Sequence, residues 1–287
     1  MPAAKDSITW SRNGSHVIVT HIRPQRQRWL RSLMALTQYG ELIYYFIWKD
    51  VKVRYKQTAV GILWALIQPL MTTLIFSVFL GHLARLPSEG LSHPMFFLTG
   101  MLLWNYFSNS LIRATDTMVE NRRVISKVYF PRVILPISAS LSGLADFAVG
   151  CSLLIVLLIY GGVPLTAKLF LAPVFVLLAV VTAIAMGLWL SALNALYRDV
   201  QYVTPFLIQT WMFTSPVIYP SSLVPDRWQW LYNLNPIAGA IQGFRWCLSP
   251  GGQAPPLVGV SFVGVLLILL LGLIYFNKVE GTIADTV

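Results

Sequence analysis

Lys49, Lys52 and Lys56 recur at intervals of three and four. At about 100° per residue their ammonium groups share one narrow stripe of a helix, while Ile43, Tyr44, Ile47, Val51 and Tyr55 fill the opposite side. Such a row of cations attracts phosphate. Anionic lipid at a membrane surface accounts for it, at about 1 kcal/mol per cation. Capture of a phosphate-bearing lipid headgroup accounts for it equally well, and Arg54, on the apolar side, can extend its guanidinium towards the same ligand. Asp146 is a second candidate, an acid near the middle of the apolar run 134–160. Ionised carboxylates are costly in such surroundings and mark function by default. With no basic partner visible in any apolar run, Asp146 reads as a hydrogen-bonded clamp, with Asn105 and Asn109 as partners, more economically than as a proton relay. His16, His21, His82 and His93 show no ligand spacing, and the acids are few and dispersed, so neither a metal site nor a catalytic constellation emerges.

The elements that must position these residues follow from composition. The chain is 56% hydrophobic and 11% charged, with mean hydropathy +0.66, whereas soluble domains carry about a quarter charged residues. This predicts an all-α polytopic membrane protein. Six transmembrane helices are expected at about 62–83, 93–112, 134–160, 170–195, 203–219 and 257–276, each near the ~20 residues that cross a bilayer. Of the 21 Lys and Arg, 17 precede Gly61, lie in 113–132, or stand at Arg198 and Lys278. Cations beside spans are retained in the cytoplasm, so both termini are expected there. The basic balance then belongs to the inner leaflet and not to a nucleic-acid surface. The first thirty residues hold no signal-peptide core, and Cys151 and Cys247 suggest neither a disulfide nor a metal site.

Residues 1–35 read as a cytoplasmic arm, in which two alternating runs flank Asn13-Gly14, a hairpin signal that a disordered arm would fit as well. Residues 36–60 read as an amphipathic interface helix lying flat at the surface, and 61–287 as the transmembrane domain. Between spans two and three, Asp116, Glu120, Arg123 and Lys127 fall at helical spacings, with Met118, Ile125 and Val128 on another side. A short amphipathic helix over about 117–129 is expected, ended by Pro131. The outer segment 226–248 is Trp-rich, and Asn235-Pro236 reads as an N-cap followed by proline. Short re-entrant helices in the outer leaflet would satisfy its backbone.

The runs Trp48 to Thr58, Gly61, Trp64 and Pro69, then Lys127 to Arg132, Tyr197 to Val200, Ser215 to Pro220, and Asn235-Pro236 resemble the membrane subunits of ABC exporters of lipid-linked polysaccharide, with O-antigen exporters of Gram-negative bacteria the nearest likeness. The resemblance covers about Arg31 to Asn277. It implies a homodimer in the bacterial inner membrane, driven by two copies of a separate ATPase that bind ATP and Mg, and moving an undecaprenyl-pyrophosphate-linked glycan. The chain itself carries no phosphate-cradling Gly-x-x-x-x-Gly-Lys-Ser/Thr loop, so no cofactor is expected on it and it is not an enzyme by itself. The resemblance also assigns ATPase coupling to the segment holding Glu120, Arg122, Arg123, Lys127 and Tyr129, with Arg198 and Asp199 as a second contact; of the readings of the cationic face Lys49, Lys52, Arg54 and Lys56, headgroup capture would place it at the channel entrance, and lipid attraction alone stands beside it.

A sugar polymer needs a conduit with hydroxyl partners and flat apolar faces. Gln68, Thr72, Phe76 and Phe79 form such a stripe on the first span, and Tyr202, Phe206, Gln209 and Phe213 another on the fifth. Ordinary helix packing and interfacial aromatics explain the same pattern. Capsule or teichoic-acid export is the nearest alternative function, followed by small-molecule export. A membrane-embedded glycosyl- or phosphotransferase would need clustered acids or metal ligands, and a proton-coupled flippase several intramembrane ionisable groups.

Overall fold

The computed structural model describes residues 8–12, 15–19, 38–56, 61–164, 166–251, 254–255 and 258–286. Strands β1 (Ile8–Arg12) and β2 (Ser15–Val19) pair antiparallel, with Ile8 opposite Val19. Asn13 and Gly14, and most of the 1–35 arm, lie outside the described residues. Among the described residues, the regular structure beyond the strand pair is helical. Helix α1 spans Gly40–Lys56, α2 Trp64–Phe76 with a π turn Ser77–Leu83, α3 His93–Glu120 and α4 Arg122–Ile125. Then come α5 (Ile134–Ser142), α6 (Leu144–Tyr160), α7 (Ala172–Leu196), α8 (Val200–Phe213), α9 (Asp226–Asn233), α10 (Pro236–Leu248) and α11 (Val258–Thr286). Proline opens α3, α7 and α10, where its missing N–H costs nothing.

Helix α3 is the axis. Phe96, Phe97, Leu98, Leu103 and Phe107 along it are fully buried. Lipid is as apolar as leucine, so helices in a membrane are held by close packing and hydrogen bonds, not by hydrophobic exclusion. Accordingly Ser138, Ala139 and Ser142 are buried. A Cβ at Gly143, between α5 and α6, would collide with Ser110 and Arg113 of α3.

Hydrogen bonds define two ends of the bundle. At one, Asn194 donates to Thr115 O at 2.9 Å, Lys49 Nζ to Asn121 Oδ1 at 2.9 Å, and the Arg132 amide to Glu280 Oε1 at 2.9 Å. At the other, Ser249 Oγ donates to Glu89 O at 3.0 Å, Ser261 Oγ to Asn233 O at 3.0 Å, and Arg245 to Phe96 O. Helices α2, α3, α5 with α6, α7, α8 and α11 run between these ends. Among the described residues, four stretches are long and apolar enough to cross a membrane: Trp64–Leu83, Ile134–Tyr160, Ala167–Leu196 and Val258–Glu280. Helix α3 has the length but carries Asn105, Tyr106, Ser108 and Asn109, of which Tyr106 and Ser108 are buried in the bundle, Asn105 is half-buried and Asn109 is exposed. Helix α8, with 14 residues, is about 21 Å long against a hydrocarbon core of ~30 Å.

Residues 117–129 do not form one helix. Helix α3 continues to Glu120, and α4 is four residues long. Asn121 interrupts them: its Nδ2 bonds back to Thr117 O at 2.8 Å and Thr117 Oγ1 at 3.2 Å, the local side-chain competition that favours Asn at helix ends. Phe46 of α1 packs on Phe130 beyond the turn, with ring centroids 5.9 Å apart, in a second buried cluster with Met118, Leu188 and Phe276.

Candidate functional site

A cavity of about 580 Å³ lies where α1 meets α2, α3 and the α5–α6 joint. Arg54 and Tyr55 reach it from α1, Trp64 and Gln68 from α2, Asn105, Asn109 and Arg113 from α3, and Asp146 from α6. Asp146 accepts from the Arg54 guanidinium and from the Tyr55 hydroxyl. Arg54 Nη2 also lies 3.4 Å from Ser142 Oγ, and Arg113 Nη1 lies 3.7 Å from the Asp146 carboxylate.

The expectation that Asp146 lacks a basic partner is therefore corrected. Arg113 looked like a loop cation because charge ends the apolar run near 112, yet α3 continues and keeps Arg113 inside the bundle. Arg54 comes from a helix 92 residues away in sequence. Asn105 and Asn109 line the same cavity, but the bonds to Asp146 come from Arg54 and Tyr55. Burial, then the hydrogen bond and charge of Asp146, push the Tyr55 hydroxyl up to about 12, so it stays protonated and donates. Arg113 is left half-satisfied, with Nε and Nη2 buried and without a hydrogen-bond partner. Two guanidiniums face one carboxylate, and unmatched donors of this kind fit an added oxyanion.

The lysine stripe is divided. Lys52 and Lys56 are exposed, whereas Lys49 bonds Asn121, lies 3.3 Å from Asp50 and sits 5.3 Å from the Phe46 ring. It ties α1 to the α3–α4 turn. Around that turn Glu120, Arg122, Arg123 and Lys127 are exposed, as is Tyr129 at 84%. Desolvation first, then Asp116 and Asp50, raise the Glu120 carboxyl above the usual range. Arg198 and Asp199 are exposed just beyond Asn194, hence at the same end of the bundle.

In the first stripe Gln68 joins the cavity wall, the Thr72 hydroxyl bonds back to Gln68 O, Phe76 packs 6.0 Å from Phe97, and Phe79 is exposed. In the second, Tyr202, Phe206, Gln209 and Phe213 are exposed, while Thr204 and Ile208 face the bundle.

Sequence reasoning passed over Arg245. One of the four cations that do not belong to the 17 assigned to the cytoplasmic side, it is 2% exposed. Its Nε donates to Phe96 O at 3.2 Å, Nη1 to Pro216 O at 2.5 Å, and Nη2 to Val217 O at 2.7 Å and Phe96 O at 3.1 Å, with the guanidinium 3.6 Å from the Phe96 ring centroid. A Cβ at Gly100 would strike that guanidinium. Asn235 Nδ2 donates to Ser215 Oγ at 2.8 Å. The separated runs Ser215 to Pro220 and Asn235-Pro236 thus form one lock with Arg245. The available signal was an arginine without an acid in the Ala- and Gly-rich stretch 237–248.

The family model for ABC-2 type transporters matches residues 41–248. The chain is 28% identical to the O-antigen export system permease protein RfbA of Myxococcus xanthus over 258 residues, 88% of this chain and 97% of that protein. It is 25% identical to the protein of the same name from Klebsiella pneumoniae over 238 residues, 83% and 91% of the two chains. It is also 25% identical to the polysialic acid transport protein KpsM of Escherichia coli over 210 residues, 71% and 79% of the two chains. The cavity, the exposed turn and the Arg245 lock all fall within or between the matched residues, and the chain belongs to the ABC-2 type transporter family.

Proposed function

We propose that this chain is the membrane subunit of an ATP-driven exporter that moves lipid-linked polysaccharide, O-antigen in the first instance, across the bacterial inner membrane. The half-satisfied Arg113 carries this reading on the structural side. Beside Arg54 and against the aromatic and amide walls of the cavity, it suits a phosphate-bearing headgroup followed by sugar. Relatives with the names of O-antigen permeases, aligned over most of both chains, support the substrate class.

In this reading six helices span, α3 and α8 among them, because α3 is shielded by its neighbours and α8 is extended by 214–219. Both termini are cytoplasmic, and α9 and α10 dip into the outer leaflet. Two copies face each other across the exposed stripes of α2 and α8, with the glycan path between them. ATP and Mg bind two copies of a separate ATPase, which docks on the α3–α4 turn and on Arg198 and Asp199. Capsule export remains the second reading, favoured by the KpsM match.

Deletion of the gene is expected to abolish the surface polysaccharide ladder and to accumulate its lipid-linked precursor inside the cell. Complementation with Phe206→Ala plus Phe213→Ala should restore membrane insertion but not the ladder. An unchanged ladder in the deletion strain would end the proposal.

Docking at the turn makes a separate prediction. Arg122→Glu with Arg123→Glu should leave the chain inserted but reduce co-purification of a tagged ATPase by about tenfold or more, since a lost interfacial charge pair costs ~2–5 kcal/mol where it is buried. Arg85→Glu with Lys168→Glu, at the opposite end, should leave that association unchanged. The reverse pattern would overturn both the docking site and the orientation.

A further inference from the structure

At the end of the bundle opposite the α3–α4 turn, a hollow of about 440 Å³ opens between the 89–91 loop, α9 and α10. Its walls differ from the rest of this apolar chain. Glu89, Ser221, Asn233 and Gln242 supply acceptors and small donors, and Tyr232 and Trp246 supply ring area. Its volume lies within the range of small-molecule sites. Asn233 is 5% exposed, and its Nδ2 donates to Gln229 O at 2.6 Å while its Oδ1 is buried without a partner. A buried orphan acceptor calls for an O–H or N–H from elsewhere.

Glu89 is held at φ 51°, a left-handed conformation that is unusual outside glycine. Its carboxylate takes the Ser221 hydroxyl at 3.1 Å and its carbonyl the Ser249 hydroxyl at 3.0 Å, so the strained residue ties the mouth of the hollow to the 221–223 turn before α9 and to the residue that follows α10. The cation in the wall is Arg245, and its guanidinium donates to the carbonyls of Phe96, Pro216 and Val217. Beside Glu89, an anionic ligand would meet a carboxylate and a committed guanidinium. A neutral, hydroxyl-rich ligand with one apolar face suits these walls. A second hollow of about 730 Å³ shares the Tyr232 wall and is lined by Trp211, Tyr219, Trp228 and Asn235. Aromatic faces continue there, as a ligand longer than one ring requires.

We infer that this outer hollow is a saccharide site, which holds a neutral sugar unit between Glu89, Asn233 and Gln242 and the Trp246 and Tyr232 rings, with the next units running past Tyr232. It deepens the export reading, since a glycan held after crossing is hindered from sliding back.

The test uses the purified full-length chain in lipid nanodiscs and saturation-transfer NMR. The probes are methyl α-mannoside, methyl β-galactoside, methyl N-acetyl-β-glucosaminide and a trisaccharide of each, with sodium glutamate and inorganic pyrophosphate as anionic controls. Saturable transfer to at least one sugar is expected, stronger for its trisaccharide. Glu89→Gln should weaken it about tenfold, the scale of a hydrogen bond to a charged group. Ser222→Trp, at an exposed rim position where added bulk disturbs no packing, should abolish it and decides the matter if Glu89→Gln fails to fold. Transfer to none of the sugars, or transfer undiminished in Ser222→Trp, would overturn the site. The gene deletion keeps the two proposals apart: gene-dependent polysaccharide without sugar binding removes this site alone, and binding with an intact ladder in the deletion strain removes the export reading alone.

Discussion

Asp146→Leu is expected to cost about 3–5 kcal/mol, the scale for breaking a buried ion pair by removing one partner, and to fall toward the lower end because the pair is about one quarter exposed. The leucine leaves the Arg54 and Arg113 guanidiniums facing each other without their carboxylate, and deprives the Tyr55 hydroxyl of its acceptor. The purified variant should unfold at a markedly lower temperature in detergent and yield less protein in the membrane fraction. Asp146→Asn keeps a hydrogen-bond acceptor for Tyr55 and loses only the charge, so it should fall between wild type and leucine. Adding Arg54→Gln to Asp146→Asn should recover part of the loss, because the unmatched charge then goes too. A leucine variant as stable as wild type would show that the carboxylate does not hold this joint. An asparagine variant that is fully stable yet exports nothing would instead assign Asp146 a titrating role.

Arg245→Met should destabilise comparably, for a different reason. The guanidinium is buried without a carboxylate and is satisfied by carbonyl oxygens of Phe96, Pro216 and Val217. Methionine fills a similar volume but takes the guanidinium from the Pro216 and Val217 carbonyls, at about 1–3 kcal/mol for each that water cannot reach, while Phe96 O keeps the Thr99 hydroxyl. Lysine should rescue poorly, since a single ammonium cannot fan out to three carbonyls as a planar guanidinium does. The check is the thermal midpoint together with labelling of the Cys247 thiol, which is 1% exposed on α10 and should become accessible as that helix detaches. Wild-type stability of Arg245→Met would refute the lock.

The layout of the helices was legible wherever hydropathy alone decides. The stretches Trp64–Leu83, Ile134–Tyr160, Ala167–Leu196 and Val258–Glu280 differ from the expected spans by a few residues. The lysine spacing marked a helix within 36–60, and Gly40–Lys56 is helical. What could not be read was pairing across long sequence distance. Arg54 and Asp146 meet over 92 residues and Arg245 and Phe96 over 149, and no local period encodes either. Arg113 and Arg245 were misread in the same way: a charge adjoining an apolar run looks like the start of a loop, unless a neighbouring helix supplies its partners. The single helix expected over 117–129 failed at Asn121, whose side chain competes with the backbone ladder and takes up Lys49.

Among the ties of helix α1 are two polar pins, Lys49 to Asn121 and Arg54 to Asp146, the second shared with Tyr55. The pins are five residues apart, about 7.5 Å along a helix axis, a distance over which α-helical backbone is stiff. A displacement of the turn at Asn121 cannot be absorbed between them. It must either draw Arg54 off its carboxylate or carry α6 along. In the first case, freeing Arg54 would leave the cavity with a mobile positive charge if the proposed ATPase pushes the turn. Affinity for phosphate would then follow mechanical stroke without a separate trigger, and the timing of capture and release would be written into the length of one rigid rod.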